Sequence, residues 1–268
     1  MNQDIQKMID NPDAIFYCSH SGGKDSQAMY SMLSKLLPPE RIVVLHADLG
    51  EVEWAGTQEH INRNITHDLN VVAAYYASKG KLSPGVTPGT RKTLLVEVDR
   101  KMRVNPTAPP WPAAGPRWCT SDLKTGPSYK FIRQDMKARG TQFSVNCLGI
   151  RAQESTERGK KIPVELNKKL SIAGRTVINW LPIFEWTTAM VFGEIKRAGQ
   201  TPHPAYADGN ERLSCMFCIM GSGNDLAHAK RVNPELAQKY FDLEAKSGYS
   251  MFHKRSLNDA ITLHELRS

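Results

Sequence analysis

Short apolar runs punctuate the first two-thirds of the chain: Ala14 to Cys18, Ile42 to His46, Val71 to Tyr75, Phe143 to Leu148 and Val177 to Leu181. Their length and β-branched content predict strands buried on both faces. Amphipathic stretches lie between them, Asp25 to Leu37, Thr57 to Leu69 and Ser128 to Arg139, and predict helices. Alternation of this kind implies an α/β fold, a doubly wound and mainly parallel sheet with helices on both faces. Ligands in such folds bind beyond the carboxyl ends of the strands. After residue 182 the strand pattern stops and helical patterning takes over, best at Thr187 to Arg197 and Pro234 to Ala245. The expected division is therefore a nucleotide-binding α/β domain over 1–182 and a mostly helical C-terminal portion over 183–268.

One stretch breaks the alternation. Asn105 to Pro116 is too rich in proline for a helix or a strand interior. It marks an insertion at about 104–117, a lid over a site or a passive surface loop.

The chemistry concentrates at the end of the first strand. Ser19-His20-Ser21-Gly22-Gly23-Lys24-Asp25-Ser26 joins strand to helix. Paired glycines let backbone N–H groups converge and an anion approach closely. The following helix contributes its unpaired N–H groups and the positive end of its dipole. Lys24 brings a cation, and Ser21 and Ser26 bring hydroxyls. The string is a phosphate cradle, and it departs from the Gly-x-x-x-x-Gly-Lys-Ser/Thr spacing of the commoner phosphate loop.

Further candidates sit at later strand exits. His46-Ala47-Asp48-Leu49-Gly50 ends the second strand, where an acid reads ribose or holds Mg²⁺, or else caps the next helix. Cys147-Leu148-Gly149-Ile150-Arg151 follows the fourth, with a glycine for a tight exit and an arginine suited to bidentate phosphate contact. Cys215-Met216-Phe217-Cys218 is a pair able to clamp a metal, an iron–sulfur cluster edge or a redox disulfide.

The chain of 268 residues is long enough for a proper core, and its net charge of +8 suits an anionic partner. Five unevenly spaced cysteines do not make a secreted disulfide framework, and neither a membrane span nor a signal peptide is legible. The expectation is a cytoplasmic protein with no membrane partner.

Ser21-Gly22-Gly23-Lys24-Asp25-Ser26 resembles the PP-loop of the adenine-nucleotide α-hydrolase superfamily, whose members have a Rossmann-type fold. Gly149-Ile150-Arg151-Ala152-Gln153-Glu154-Ser155 resembles the Gly-x-Arg-x-x-Glu/Gln-Ser motif of its phosphoadenylyl-sulfate (PAPS) reductase-like branch. The His46 to Gly50 segment, Cys119 with Lys124 beyond it, and the ending from His203 through Tyr206, Gly209 and Arg212 to Cys215 and Cys218 are similar to that branch as well. The resemblance spans roughly residues 14 to 220. It implies ATP and Mg²⁺ as ligands, with Ser19, Ser21, Gly22, Gly23, Lys24, Asp25, Ser26, His46, Asp48, Gly149 and Arg151 around the nucleotide, and Lys24, Asp25 and Arg151 catalytic. It also implies that Cys119, Cys215 and Cys218 hold a [4Fe–4S] cluster with one open iron. Zn²⁺ with His203 or His253 as fourth ligand is the alternative. Cys147 is a fourth candidate or a small buried apolar residue, and Cys18 is structural.

Sulfonucleotide reduction would call for a cysteine in a Glu-Cys-Gly-x-His context near the C-terminus, and Ser256 to Ser268 holds none. The full PP-loop points instead to cleavage of ATP to AMP and pyrophosphate. The reading is an ATP pyrophosphatase that adenylates a substrate for sulfur transfer to a nucleic acid, similar to the DNA-phosphorothioation sulfurtransferases, with a sulfur-donor protein as partner. A PAPS or adenylyl-sulfate reductase and a non-catalytic ATP sensor are the alternatives.

Overall fold

The computed structural model describes residues 2–80, 83–252 and 254–266, so His253 lies outside the described residues. The chain forms two compact units that interleave along the sequence. The first takes the residues up to Ala47, Gly56–Val72 and Ser128–His203; the second takes Asp48–Ala55, Ala73–Pro127 and the residues from Pro204 on. This differs from the expected division at residue 182, because segments between the strands leave the sheet to join the C-terminal helices.

The first unit is built on one six-stranded sheet: β1 Ile15–Ser19, β2 Ile42–Ala47, β3 Leu69–Val72, β4 Phe143–Leu148, β5 Val164–Leu166 and β6 Thr176–Trp180, in the order β3-β2-β1-β4-β6-β5. All neighbours pair in parallel except β5, which runs antiparallel to β6. The fold is thus the doubly wound α/β class. Alternation along β1 feeds two cores. Phe16 and Cys18 join Met29, Leu33, Val44, Val145 and Cys147 on one face. Tyr17 joins Val43, Leu45, Ile132, Met136 and Val177 on the other. After β3 the chain returns to the opposite side of β1, so β1 and β4 flank the point where strand order reverses.

Two boundaries differ from the expected ones. The helix expected to Leu69 ends at Asn64, and the next strand starts at Leu69 rather than Val71. The Tyr30 hydroxyl accepts the Thr66 N–H at 2.8 Å, which pulls the chain out of the helix there. Tyr75 belongs to the second unit, where it bridges Arg91. The short β5 was not expected; three residues on an edge leave little periodicity to read.

The second unit packs the helices Leu94–Val104, Gly223–Val232, Pro234–Ser247 and Leu257–Glu265 around Val98, Trp111, Phe217, Leu236, Tyr240 and Ile261. Asn233 caps one of these helices, and Ser222–Asp225 and Ser256–Asp259 form capping boxes at two others. The proline-rich insertion is packed into this unit: Trp111 stacks on Tyr240 at 5.8 Å and donates its indole N–H to the Tyr249 carbonyl at 2.9 Å. Among the described residues no helix is long and apolar enough to cross a membrane.

Glu97 is the electrostatic centre of this unit. It is buried, takes Arg100 at 2.5 Å and the Tyr76 hydroxyl at 2.6 Å, and has Lys92 and Lys101 each at 3.8 Å. Burial opposes its charge, yet the Arg100 and Tyr76 hydrogen bonds with the charges of Lys92 and Arg100 outweigh burial and hold its carboxyl below the ordinary range. Glu97→Gln removes the charge and keeps the shape. We expect a loss of about 1–3 kcal/mol in urea unfolding, since hydrogen bonds to charged groups lie in that range; a change under a few tenths would show that the cluster does not support the unit.

Candidate phosphate loop and cysteine cluster

The loop between β1 and the helix Lys24–Leu36 is stitched from inside. Ser26 Oγ accepts the Ser21 N–H at 3.1 Å and donates to the Gly23 carbonyl at 2.9 Å. His20 Nδ1 accepts the Gly22 N–H at 3.1 Å. Gly22 takes φ +78°, a left-handed conformation in which a side chain is strained. The Ser21 and Gly22 amides are therefore spent within the loop. The next ones are not: among the described residues the N–H groups of Gly23, Asp25 and Ser26 find no acceptor. Gly23 caps the helix with no side-chain bond, so these donors stand at the start of a 13-residue helix beside the partly positive terminus of its dipole. Lys24 Nζ lies 3.7 Å from Asp25 Oδ2.

Gly149, at the exit of β4, serves this loop directly. A β-carbon there would stand 3.0 Å from both the Asp25 carbonyl carbon and the Ser26 nitrogen, which are backbone atoms that cannot swing aside. The sequence suggested a glycine for a tight exit; close approach of two backbones is the requirement. Gly149→Ala would push the loop off its position, at about 1–3 kcal/mol of overpacking. We expect at least a tenfold rise in the dissociation constant for MgATP with the melting temperature lowered by only a few degrees. Calorimetric titration showing unchanged affinity would count against the loop as the phosphate site.

Arg151 is anchored beside the loop. Its guanidinium is buried, with Nε on Asp25 Oδ1 at 2.6 Å and Nη1 on Gln153 Oε1 at 3.1 Å and on the Trp186 carbonyl at 3.2 Å. Gln153 in turn accepts the Thr188 N–H at 2.8 Å. Asp25 is thereby tied through Arg151 to the helix Thr188–Arg197. His46 is buried and donates Nδ1–H to the His20 carbonyl at 3.0 Å. Ser19 closes β1, in register with Leu45 of β2 and Leu148 of β4. Asp48 belongs to the second unit, where its carboxylate pairs with Arg91 at 2.6 Å and accepts the Gly50 N–H at 2.8 Å.

Among the residues that shape the loop, the sequence offered no role for His20, although it lies inside the string that drew attention. A histidine preceding a glycine-rich turn has no signature until its ring is seen turned back on the chain.

Cys119, Cys215 and Cys218 all fall in the second unit, although nearly a hundred residues separate the first from the pair. Cys218 is pulled below the ordinary thiol range by the hydrogen bond it shares with Cys215, against the cost of burial, with further help from the Met220 N–H and Lys124. The same bond, with burial, pushes Cys215 up. Cys119 is close enough for its charge to act on both. Two buried donors beside them lack acceptors, the Tyr240 hydroxyl and the Trp118 indole N–H, and Tyr240 feels the charge of all three cysteines. Those orphaned donors fit a group seated among the thiols. Among the described residues, however, no three ligating side chains are placed to hold one metal ion. Cys18 and Cys147 face each other across β1 and β4, fully buried, and burial pushes both thiols up.

A mostly parallel sheet with a strand–turn–helix loop at its reversal point defines a doubly wound α/β protein. More narrowly, the chain belongs to the phosphoadenosine phosphosulfate reductase domain family, a family of enzymes, whose model matches residues 15–220. It is similar to two uncharacterized proteins of Methanocaldococcus jannaschii. One is 30% identical over 129 residues, 48% of this chain and 25% of that protein; the other is 24% identical over 244 residues, 91% and 51%. An uncharacterized 37.8 kDa protein of Escherichia phage 186 is 38% identical over 79 residues, 30% of this chain and 23% of that one. The chain thus spans a quarter to a half of the length of these relatives. A crystal structure of PAPS reductase from Candida auris in a phosphate complex matches with a TM-score of 0.45 and 15% identity, over 81% of this chain and 88% of that one.

Proposed function

We propose that the chain is an ATP pyrophosphatase that adenylates a substrate, releasing pyrophosphate, and that it acts in sulfur transfer to a nucleic acid in the cytoplasm. The observation that carries this is the set of unspent amides at Gly23, Asp25 and Ser26 at the reversal point of the sheet. Donors already fixed in place stabilise developing charge without reorganising, and this is the largest single contribution in many enzymes. The amides and Lys24 would take the charge of the departing pyrophosphate. Mg²⁺ would arrive with the phosphates and neutralise part of that charge. Asp25, held by Arg151, keeps the first helical turn in place, so Arg151 positions the loop.

Cys119, Cys215 and Cys218 are the residues that would hold a [4Fe–4S] cluster, with the Tyr240 hydroxyl and the Trp118 indole N–H as donors to its sulfurs. A cluster lets each thiolate bind a different iron, whereas zinc requires every ligand about 2.3 Å or less from one ion. The group would supply a site for sulfide delivered by a donor protein.

Sulfonucleotide reduction is the second reading, favoured by the family itself. Product analysis separates the two. With MgATP and a nucleic-acid acceptor we expect AMP and pyrophosphate, and little sulfite from PAPS with thioredoxin. Abundant sulfite would establish the reductase, and nucleotide binding with neither product would leave a sensor.

A further inference from the structure

Four buried histidines lie in the first unit, His20, His46, His60 and His203, each no more than 5% exposed. His20 and His60 interact electrostatically, as do His20 and His46, and the rings of His60 and His203 pack edge to face at 5.0 Å.

The protonation state of His20 follows from its partners. The Gly22 N–H points at Nδ1, so Nδ1 must carry a lone pair. Ser26 Oγ, 3.5 Å from the same nitrogen, directs its hydrogen to the Gly23 carbonyl and does not compete. The proton of the neutral ring is then on Nε2, which is buried and has no acceptor. An unmet buried donor costs about 1–3 kcal/mol. The ring keeps that cost where almost any smaller residue would avoid it. What it holds in return is the Gly22 amide, the residue at which the chain turns left-handed just before the unspent donors.

We propose that His20 is a positioning residue of the phosphate site: its Nδ1 lone pair latches the Gly22 amide inward, so that the Gly23, Asp25 and Ser26 amides converge on a phosphate. The latch requires a neutral imidazole. Burial first, then the neighbouring imidazoles of His46 and His60, which disfavour a charge on it, keeps it neutral. The proposal rests on reading the loop as a nucleotide site.

Two variants separate positioning from simple packing. In His20→Asn the amide oxygen occupies the place of Nδ1 and can accept the Gly22 N–H. In His20→Gln the acceptor moves out to the place of Nε2. Both lose the ring and leave a similar cavity, so a purely structural role treats them alike. MgATP affinity is read by calorimetry, and exchange of the Gly22 amide by NMR without nucleotide. We expect His20→Asn to keep affinity within about threefold and to keep Gly22 protected. We expect His20→Gln to lose affinity tenfold or more and to expose Gly22, at a melting temperature matching the asparagine variant. Equal affinities and equal Gly22 protection in the two variants overturn the latch. If the native protein binds no MgATP, the nucleotide reading falls, and Gly22 exchange alone decides the latch. ¹⁵N shifts of His20 in the native protein should show protonated Nε2 and bare Nδ1; the opposite tautomer also overturns it.

Discussion

Lys24→Ala should abolish pyrophosphate release, with a loss of at least a hundredfold, while the protein still folds. Removing one preorganised donor to developing charge costs about a hundred- to a thousandfold in rate, or roughly 2.7–4 kcal/mol. Lys24 is the cation closest to the unspent amides in sequence, and it stands 3.7 Å from Asp25. Folding should survive because Asp25 is not orphaned by the change. Arg151 remains on its other oxygen at 2.6 Å, and the loop's internal bonds run through Ser26 and His20, which the substitution does not touch. The variant should therefore melt within a few degrees of the native protein. Pyrophosphate assay and thermal unfolding together make the test. Native turnover in Lys24→Ala would remove the loop from the chemistry, and an unfolded variant would show that the lysine is a structural prop.

Much of this arrangement was legible beforehand, for identifiable reasons. β1, β2, β4 and β6 are parallel strands buried on both faces, so their sequences are continuous apolar runs that little else could make. The strand–turn–helix shape of the loop at Ser21–Ser26 was legible because glycine conformation and helix-terminus donors are local properties of six residues. Long-range events were not. Arg151 gives no sign in the sequence of its tie to Asp25, 126 positions away. Gly149 reads as a turn residue until the backbone of Asp25 is found 3.0 Å from its missing β-carbon. The interleaving of the two units follows from the segments Asp48–Ala55 and Ala73–Pro127 leaving the sheet to bury Val52, Trp54, Val98 and Trp111, a choice no single window records. The helices Gln3–Asp10, Leu94–Val104, Gly223–Val232 and Leu257–Glu265 lay outside the stretches singled out, although Ser222–Asp225 and Ser256–Asp259 are local capping signals that could have found two of them.

Mild acid should destabilise the protein before most of its carboxylates titrate. Burial first, then the charges of His46 and His60, lowers His20 from 6.5 to about 3. Burial, His203 and Arg63 lower His60 to about 4, and burial with Arg63 lowers His203. In the unfolded chain these rings take up protons near pH 6.5; in the native state they do not. Between those limits the unfolded state binds more protons, so stability rises with pH and is complete only above about 6.5. As pH falls, each ring held neutral removes up to about 1.4 kcal/mol per pH unit. His20 and His60 together give a slope of about 2–3 kcal/mol per pH unit between pH 6 and 4.5, comparable over that span with much of the stability of a typical domain. Carboxylates held low, such as Glu97, Asp122 and Glu194, also lose their contribution in acid, but only from about pH 5 downward, so the fall between pH 6 and 5 belongs to the imidazoles. Urea unfolding at pH 7.0, 6.0 and 5.0 measures the slope, and His60→Gln should flatten it by about 1.4 kcal/mol per unit by removing one titrating ring. A native protein equally stable at pH 7.0 and 5.0, or a His60→Gln slope matching the native one, would show that the imidazoles accept protons in the folded state and that the loop is not held by neutral histidines.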